Sequence, residues 1–352
     1  MYTLNINLPD KSYPIIIEKD LFNSIDTFLS QYIKGNKVVV LTDENLSNIY
    51  GKKLQNKLNN LNSEVYYIVL KAGEETKSLS VLEKVYSELL SFGITKSDYL
   101  IAFGGGVIGD LTGFAAATYL RGIPFIQVPT SLLAQVDSSI GGKTAVNLPQ
   151  GKNLIGSFYH PEAVFIDPQM LSTLHPRYLA DGMAEVIKYG CIKDTELFEI
   201  LENIDITDLM QHMEKIVYKC CNIKKSIVEE DEKDDGSRML LNFGHTFGHA
   251  IEKIFCYEKY THGEGVAIGM HHITKKSEEM GLTEINTSER IKGLLGKYNL
   301  PVSFPHIDEK SLLDAVAPDK KSRGRMLNLI LLKKIGSGFI HTIDKNDTIN
   351  YI

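Results

Sequence analysis

The chain has 352 residues, past the roughly 250–300 at which a single hydrophobic core stops growing, so two domains are expected. Hydrophobic content of 43% and charged content of 23% are ordinary for a globular protein, and 38 Lys plus Arg against 44 Asp plus Glu leave a formal charge of -6. That balance excludes a bulk attraction for nucleic acid or an anionic membrane, so any anion site must be local.

The polar start, residues 1–12, does not read as a signal peptide. No apolar run reaches the roughly 18 residues of a membrane span. Cys191, Cys220, Cys221 and Cys256 form no CxxC pair and read as reduced thiols of a cytoplasmic protein. Residues 37–43 form an apolar run ending on Asp43, a buried strand, and residues 65–70 form a second. Ser78 can cap a helix to Phe92, which Gly93 ends. Residues 99–103 make a strand that runs straight into Gly104, Gly105 and Gly106, and a small-residue helix follows over 107–120. Strands over 123–128 and 163–167 complete the alternation, which indicates a parallel sheet of the doubly wound type.

After Leu174 helical spacing dominates, over 176–189, 207–228, 244–255, 263–280 and 288–298, and residues 326–332 and 338–342 read as a hairpin. The expected fold class is therefore α/β: an N-terminal Rossmann-like parallel-sheet domain over 1–172 and a mainly α-helical domain over 173–352.

Three groups of residues carry chemistry. Gly104 to Asp110 lies between a strand and a helix, where backbone N–H groups and a helix N-terminus can hold a pyrophosphate. Asp43 suits a ribose hydroxyl or a helix cap, and the polar loop 73–78 suits a nucleotide or a cap. From Arg121 to Asn153, Gly141-Gly142-Lys143 and Gly151-Lys152-Asn153 set amines beside glycines, as an anion site would. Lys224, Lys225 and Arg238 form a second basic group, open to a bland reading as a salt-bridged helix end. Finally, His245 and His249 lie at i and i+4, His262-Gly263-Glu264 opens another helix, and Glu185 and Lys188 share a helical face. Two histidines and one glutamate with open positions form a recognised catalytic zinc set. His249 could be a ligand or could donate to a substrate anion.

Together these residues resemble the 3-dehydroquinate synthase family. The match runs from about Asp43 to Lys321, most specifically at 104–110, 129–153, 182–189 and 242–249 followed by His262-Gly263-Glu264. The resemblance implies that Glu185, His245 and His262 bind zinc, for which cobalt could substitute. It implies NAD contacts from Asp43, Glu74, Lys77, Gly105, Gly106, Val107, Asp110, Thr130 and Ser131, with Lys143 and Lys152 near the cofactor. Asp137, Lys143, Lys152, Asn153, Lys188, Lys224, Arg238, Asn242 and His249 would line the substrate pocket. Arg121 would reach substrate across a homodimer interface, and one of Lys320 and Lys321 would join it. The implied substrate is a phosphorylated sugar acid, with Lys143 and His249 on its phosphate and Arg238 and Lys224 on its carboxylate. Two positions depart from the family pattern: Ser131 stands where threonine is common, and Asp234 where glutamate is usual.

Rival readings are a related cyclase such as 2-deoxy-scyllo-inosose synthase, a polyol dehydrogenase of the glycerol dehydrogenase kind, and a nucleotide-binding regulatory module. The first would leave Arg238 without a carboxylate, and the last would leave the metal set without purpose.

Overall fold

The structure, a computed structural model, describes residues 1–316 and 325–352. It divides into two compact units, one of residues 1–174 with 213–233, the other of residues 175–212 with 234–352.

The first unit begins with strands β1 (Tyr2–Asn7) and β2 (Ser12–Ile17) and the short helix α1 (Ile25–Leu29). Strand β3 (Val38–Asp43) leads to helix α2 (Glu44–Leu58), and β4 (Val65–Leu70) to α3 (Leu79–Ser91). Strand β5 (Tyr99–Gly104) leads to α4 (Gly106–Thr118) and β6 (Phe125–Pro129). Strands β7 (Lys143–Leu148), β8 (Gly151–Phe158) and β9 (Ala163–Ile166) follow.

A seven-stranded sheet has the order β1-β2-β9-β6-β5-β3-β4. Only β1 and β2 pair antiparallel in it; the other pairs are parallel. Successive residues of β3 face opposite layers, as the strand period requires. Val39 and Leu41 pack with Leu82, Val85, Leu111 and Phe114 of α3 and α4, while Val38 and Val40 pack with Leu54 and Leu58 of α2. Covering on both faces explains why β3 and β5 read as continuous apolar runs. The order reverses between β3 and β5, since β4 lies to one side of that pair and β6 to the other. Connections leaving the carboxyl ends of β3 and β5 diverge there and open the crevice in which such sheets bind ligands.

The second unit carries α5 (Pro176–Lys193) and α6 (Thr195–Asn203). Helix α7 (Leu209–Glu230) follows, then α8 (His245–Ile254), α9 (His262–Glu279), α10 (Thr287–Lys297) and α11 (Glu309–Val316). The hairpin of β10 (Met326–Lys334) and β11 (Ser337–Asp344) matches its expected place.

Three features differ from the sequence reading. The chain divides after Leu174, and most of α7 belongs to the first unit rather than to a domain over 173–352. Its buried stripe of Ile216, Val217, Cys220, Ile227 and Val228 has helical spacing, which cannot tell which core the stripe enters. Tyr218 stacks on Tyr2 at 4.4 Å, the Cys221 thiol donates to the Gln135 carbonyl at 3.3 Å, and Glu229 accepts from the Asn7 amide at 2.7 Å. The β1–β2 ribbon and the β7–β8 hairpin were not anticipated. Ser78 occupies the N-cap of α3 but its side chain does not cap it.

Candidate active site

The glycine turn of the first unit is built by close approach. A Cβ at Gly104 would fall 2.5 Å from Ile108, one at Gly105 3.2 Å from the Ser131 hydroxyl, and one at Gly106 3.0 Å from the Ser138 hydroxyl. No side chain caps α4, so its first N–H groups, those of Gly106 and Val107 among them, are left for an anion. Thr130 and Ser131 follow β6, and the Thr130 amide donates to the Gly104 carbonyl at 3.0 Å. Asp43 ends β3, and one of its oxygens accepts from the Leu46 amide at 3.0 Å; the capping role is therefore present, with the second oxygen left over.

A polar network ties several expected residues together. Lys77, only 5% exposed, donates to Asp110 and to the Asn153 side chain, each at 2.5 Å. Burial pushes the Asp110 carboxyl above its usual range, with the Lys77 ammonium opposing. Asn153 has a left-handed backbone (φ 57), and its amide donates to the Asn147 side chain at 2.9 Å. Asn147 in turn donates to Glu74 at 2.6 Å, a link the sequence reading did not single out. Lys224 forms an ion pair with Asp137 and donates to its carbonyl at 2.6 Å. Lys143 and Lys152 lie on the β7–β8 hairpin, not on free loops.

Arg121 stands apart from this network. It is exposed, at the opposite end of α4 from the glycine turn, about 20 Å along the axis. Leu120 (φ 49) and Arg121 (φ 66) both occupy left-handed backbone, a strained pair ahead of Gly122.

In the second unit, Glu185, His245 and His262 converge, with one donor atom from each within 4.8 Å of the others. Glycine packing brings them together. A Cβ at Gly269 would fall 2.0 Å from the Gly244 carbonyl, and one at Gly248 2.9 Å from Gly265, so α8 and α9 meet backbone to backbone. That contact presents His245, at the first turn of α8, to His262, at the first turn of α9, with ring centroids 5.2 Å apart. Helix α5 completes the set. Its Asp181 accepts from the Gly263 amide at 2.5 Å, and its Arg177 grips Glu264 with two hydrogen bonds of 2.8 Å. Glu185 follows one turn after Asp181 on the same helix.

Both Nε2 atoms lie 3.4 Å from one Glu185 oxygen. A tetrahedral ion about 2.1 Å from each donor would space them roughly 3.4 Å apart. Glu185 is fully buried, and neither oxygen finds a partner in hydrogen-bond geometry, although Lys188 lies against one as an ion pair. The His245 Nδ1 donates to the Phe243 carbonyl at 3.1 Å, which leaves its Nε2 lone pair aimed at the cluster. These residues fit a divalent cation. Burial alone would raise the Glu185 carboxyl, but Lys188 and His245 outweigh it and hold it well below the usual range. Burial would lower the His262 ring, but Glu185 and Glu252 raise it to about 10, so a cation there displaces a proton.

His249 is within 5.3 Å of the His245 ring but is not grouped with Glu185; its donor clusters with Glu252 and His262. Glu252 was missed, although its position seven after His245 and three after His249 puts it on their helical face. Arg238 is 2% exposed, on the two-turn 3-10 segment Ser237–Asn242 that ends in Asn242. Asp234, in the glutamate position, has a left-handed backbone (φ 66). Lys320 and Lys321 lie outside the described residues.

Residues 67–181 match the 3-dehydroquinate synthase N-terminal family model, and residues 182–322 the 3-dehydroquinate synthase C-terminal model. Among solved structures, 2-deoxy-scyllo-inosose synthase, complexed with carbaglucose-6-phosphate, NAD+ and Co2+, is 26% identical with a TM-score of 0.88, over 99% of this chain and 98% of that one. The 2-epi-5-epi-valiolone synthase of Streptomyces hygroscopicus, with NAD+ and Zn2+ bound, is also 26% identical with a TM-score of 0.88, over 98% and 97%. Fold and site thus define an enzyme of the sugar phosphate cyclase type. A 3-dehydroquinate synthase of Clostridium acetobutylicum is 52% identical over 100% of this chain and 99% of its own length. The chain belongs to the 3-dehydroquinate synthase family.

Proposed function

We propose that the chain converts 3-deoxy-D-arabino-heptulosonate 7-phosphate to 3-dehydroquinate and phosphate, in the shikimate pathway, using NAD and a divalent metal, zinc or cobalt. The observation that carries the reading is the convergence of Glu185, His245 and His262, with both histidine Nε2 atoms 3.4 Å from one oxygen of the buried Glu185. When bound, NAD supplies a transient hydride acceptor and the metal a Lewis acid toward the alcohol oxygen being oxidised.

In the first unit, Gly105, Gly106, Val107 and Asp110 hold the cofactor, with Asp43, Glu74, Lys77, Thr130 and Ser131. Lys143, Lys152, Asn153, Asp137 and Lys224 bind substrate. In the second unit, Lys188, Arg238, Asn242 and His249 bind substrate, and the guanidinium of Arg238 suits its carboxylate. The proton beside the oxidised carbon passes to the substrate's own phosphate, which leaves with the electrons of its C–O bond. Ring opening and intramolecular aldol closure of the substrate complete the sequence. The chain's share is positioning and electrostatic stabilisation. Arg121 serves the site of a second copy in a cytoplasmic homodimer.

The test is to incubate the purified, zinc-loaded chain with the heptulosonate phosphate and NAD. Equal amounts of phosphate and dehydroquinate, with no net rise in nicotinamide absorbance, are expected. Accumulating NADH without phosphate release would replace the proposal with a polyol dehydrogenase.

A further inference from the structure

We propose that Glu252 is a positioning residue for the metal: it locks His262 in the tautomer and ring orientation that binds the cation. The inference rests on the metal reading above. Glu252 is 2% exposed on α8, and its Oε1 lies 3.1 Å from Nδ1 of His262. The opposite ring nitrogen, Nε2, lies 3.4 Å from Glu185. The two carboxylates therefore address the two nitrogens of one imidazole.

An ionised carboxylate only accepts hydrogen bonds, so a neutral ring facing Glu252 must carry its hydrogen on Nδ1. Its Nε2 then presents a lone pair to the cation shared with Glu185 and His245, and the negative charge behind the ring makes that nitrogen a stronger donor. His245 gets the same tautomer from a neutral carbonyl, that of Phe243. His262 alone gets it from a charge. Glycine makes room for this arrangement: a Cβ at Gly265 of α9 would come within 3.4 Å of the Glu252 Cγ.

His249, Glu252 and His262 also offer donors within 4.8 Å of one another, so the competing role for Glu252 is ligand of a second cation. The geometry favours positioning, because Glu252 faces the ring nitrogen turned away from Glu185.

The experiment measures zinc stoichiometry and affinity by chelator competition for the full chain and for Glu252→Gln, His262→Ala and the double variant. The cobalt-loaded forms give an absorption spectrum of the ligand field. We expect one zinc per chain, an affinity lowered 10- to 100-fold by Glu252→Gln with a shifted cobalt spectrum, and no further loss when that change is added to His262→Ala. Glu252→Asp, which keeps the charge, should recover part of the affinity. Unchanged affinity in Glu252→Gln, or an equal loss in the His262→Ala background, would overturn the proposal. Two zinc ions in the parent falling to one in Glu252→Gln would make Glu252 a ligand instead. A parent chain that binds no zinc would remove the metal reading itself, and this inference with it.

Discussion

The two units prepare their sites by opposite electrostatic means. In the first, charge is already balanced: Lys77 meets Asp110 and Lys224 meets Asp137, so each ammonium has a carboxylate beside it. The second concentrates acceptors. Glu185 and Glu252 flank one imidazole, and Glu185 keeps two oxygens without hydrogen bonds. A balanced network holds side chains in place for a ligand that carries its own charges. In the second, Lys188 pairs with one Glu185 oxygen, yet two histidine nitrogens still face the other, a cluster of lone pairs that a bound cation would complete.

Removing a ligand attacks the second unit most directly. His262→Ala takes away a donor to an ion worth several kcal/mol of charge stabilisation, so turnover should fall by about 1,000-fold or more with most bound zinc lost. Full activity with undiminished zinc would refute the assignment.

Gly269→Ala tests the packing without touching a ligand. Its Cβ would meet the Gly244 carbonyl at 2.0 Å, and forcing α8 from α9 should cost about 3 kcal/mol of stability together with zinc affinity. A melting temperature and metal content equal to the parent's would break the account of how the ligands converge. Arg238→Ala should raise KM for the sugar acid by about 100-fold while NAD affinity holds. A large loss of NAD affinity instead would mean that Arg238 serves the cofactor.

His272, also on α9, probes the stability of the second unit by pH. Burial pushes its ring down to about 4 from the ordinary 6.5, and its Nε2 donates to the Tyr351 carbonyl at 2.8 Å. The unfolded chain takes up this proton first, so the stabilisation is intact above about 6.5 and is lost as pH falls toward 4. After discounting for partial exposure, the loss should be roughly 2 kcal/mol, and unfolding of His272→Gln should vary less between those pH values. An equal pH dependence in both proteins would contradict it. The smallest effect belongs to the balanced network: Asp110→Asn should weaken NAD binding about tenfold by calorimetry, leaving zinc content unchanged.

How far the sequence could be read follows the same division. Strands β3 and β5 are visible because burial on both faces leaves uninterrupted apolar runs, and the glycine turn because it is contiguous. The β1–β2 ribbon carried a weaker sign, the alternation of Leu4 and Ile6 and then of Tyr13, Ile15 and Ile17, all buried. Polar neighbours mask that sign. Strand β8 lacks even that, since its Leu154 is 59% exposed and none of its residues is fully buried. The three candidate metal ligands can be named from a family pattern and from helical spacing. Their convergence depends on Gly244, Gly248, Gly265 and Gly269 meeting across two helices, a contact no local pattern encodes. Glu252 shares the helical face of two histidines, but a lone glutamate on a helix is ordinarily solvated, so the sequence does not mark it.

The central claim is that one cation sits among Glu185, His245 and His262. A crystal of the zinc-loaded chain, measured at the zinc absorption edge, tests it directly. The account predicts one anomalous peak per chain, about 2.0–2.2 Å from a Glu185 oxygen and from Nε2 of both histidines. A peak elsewhere, or none at those three side chains, would contradict it.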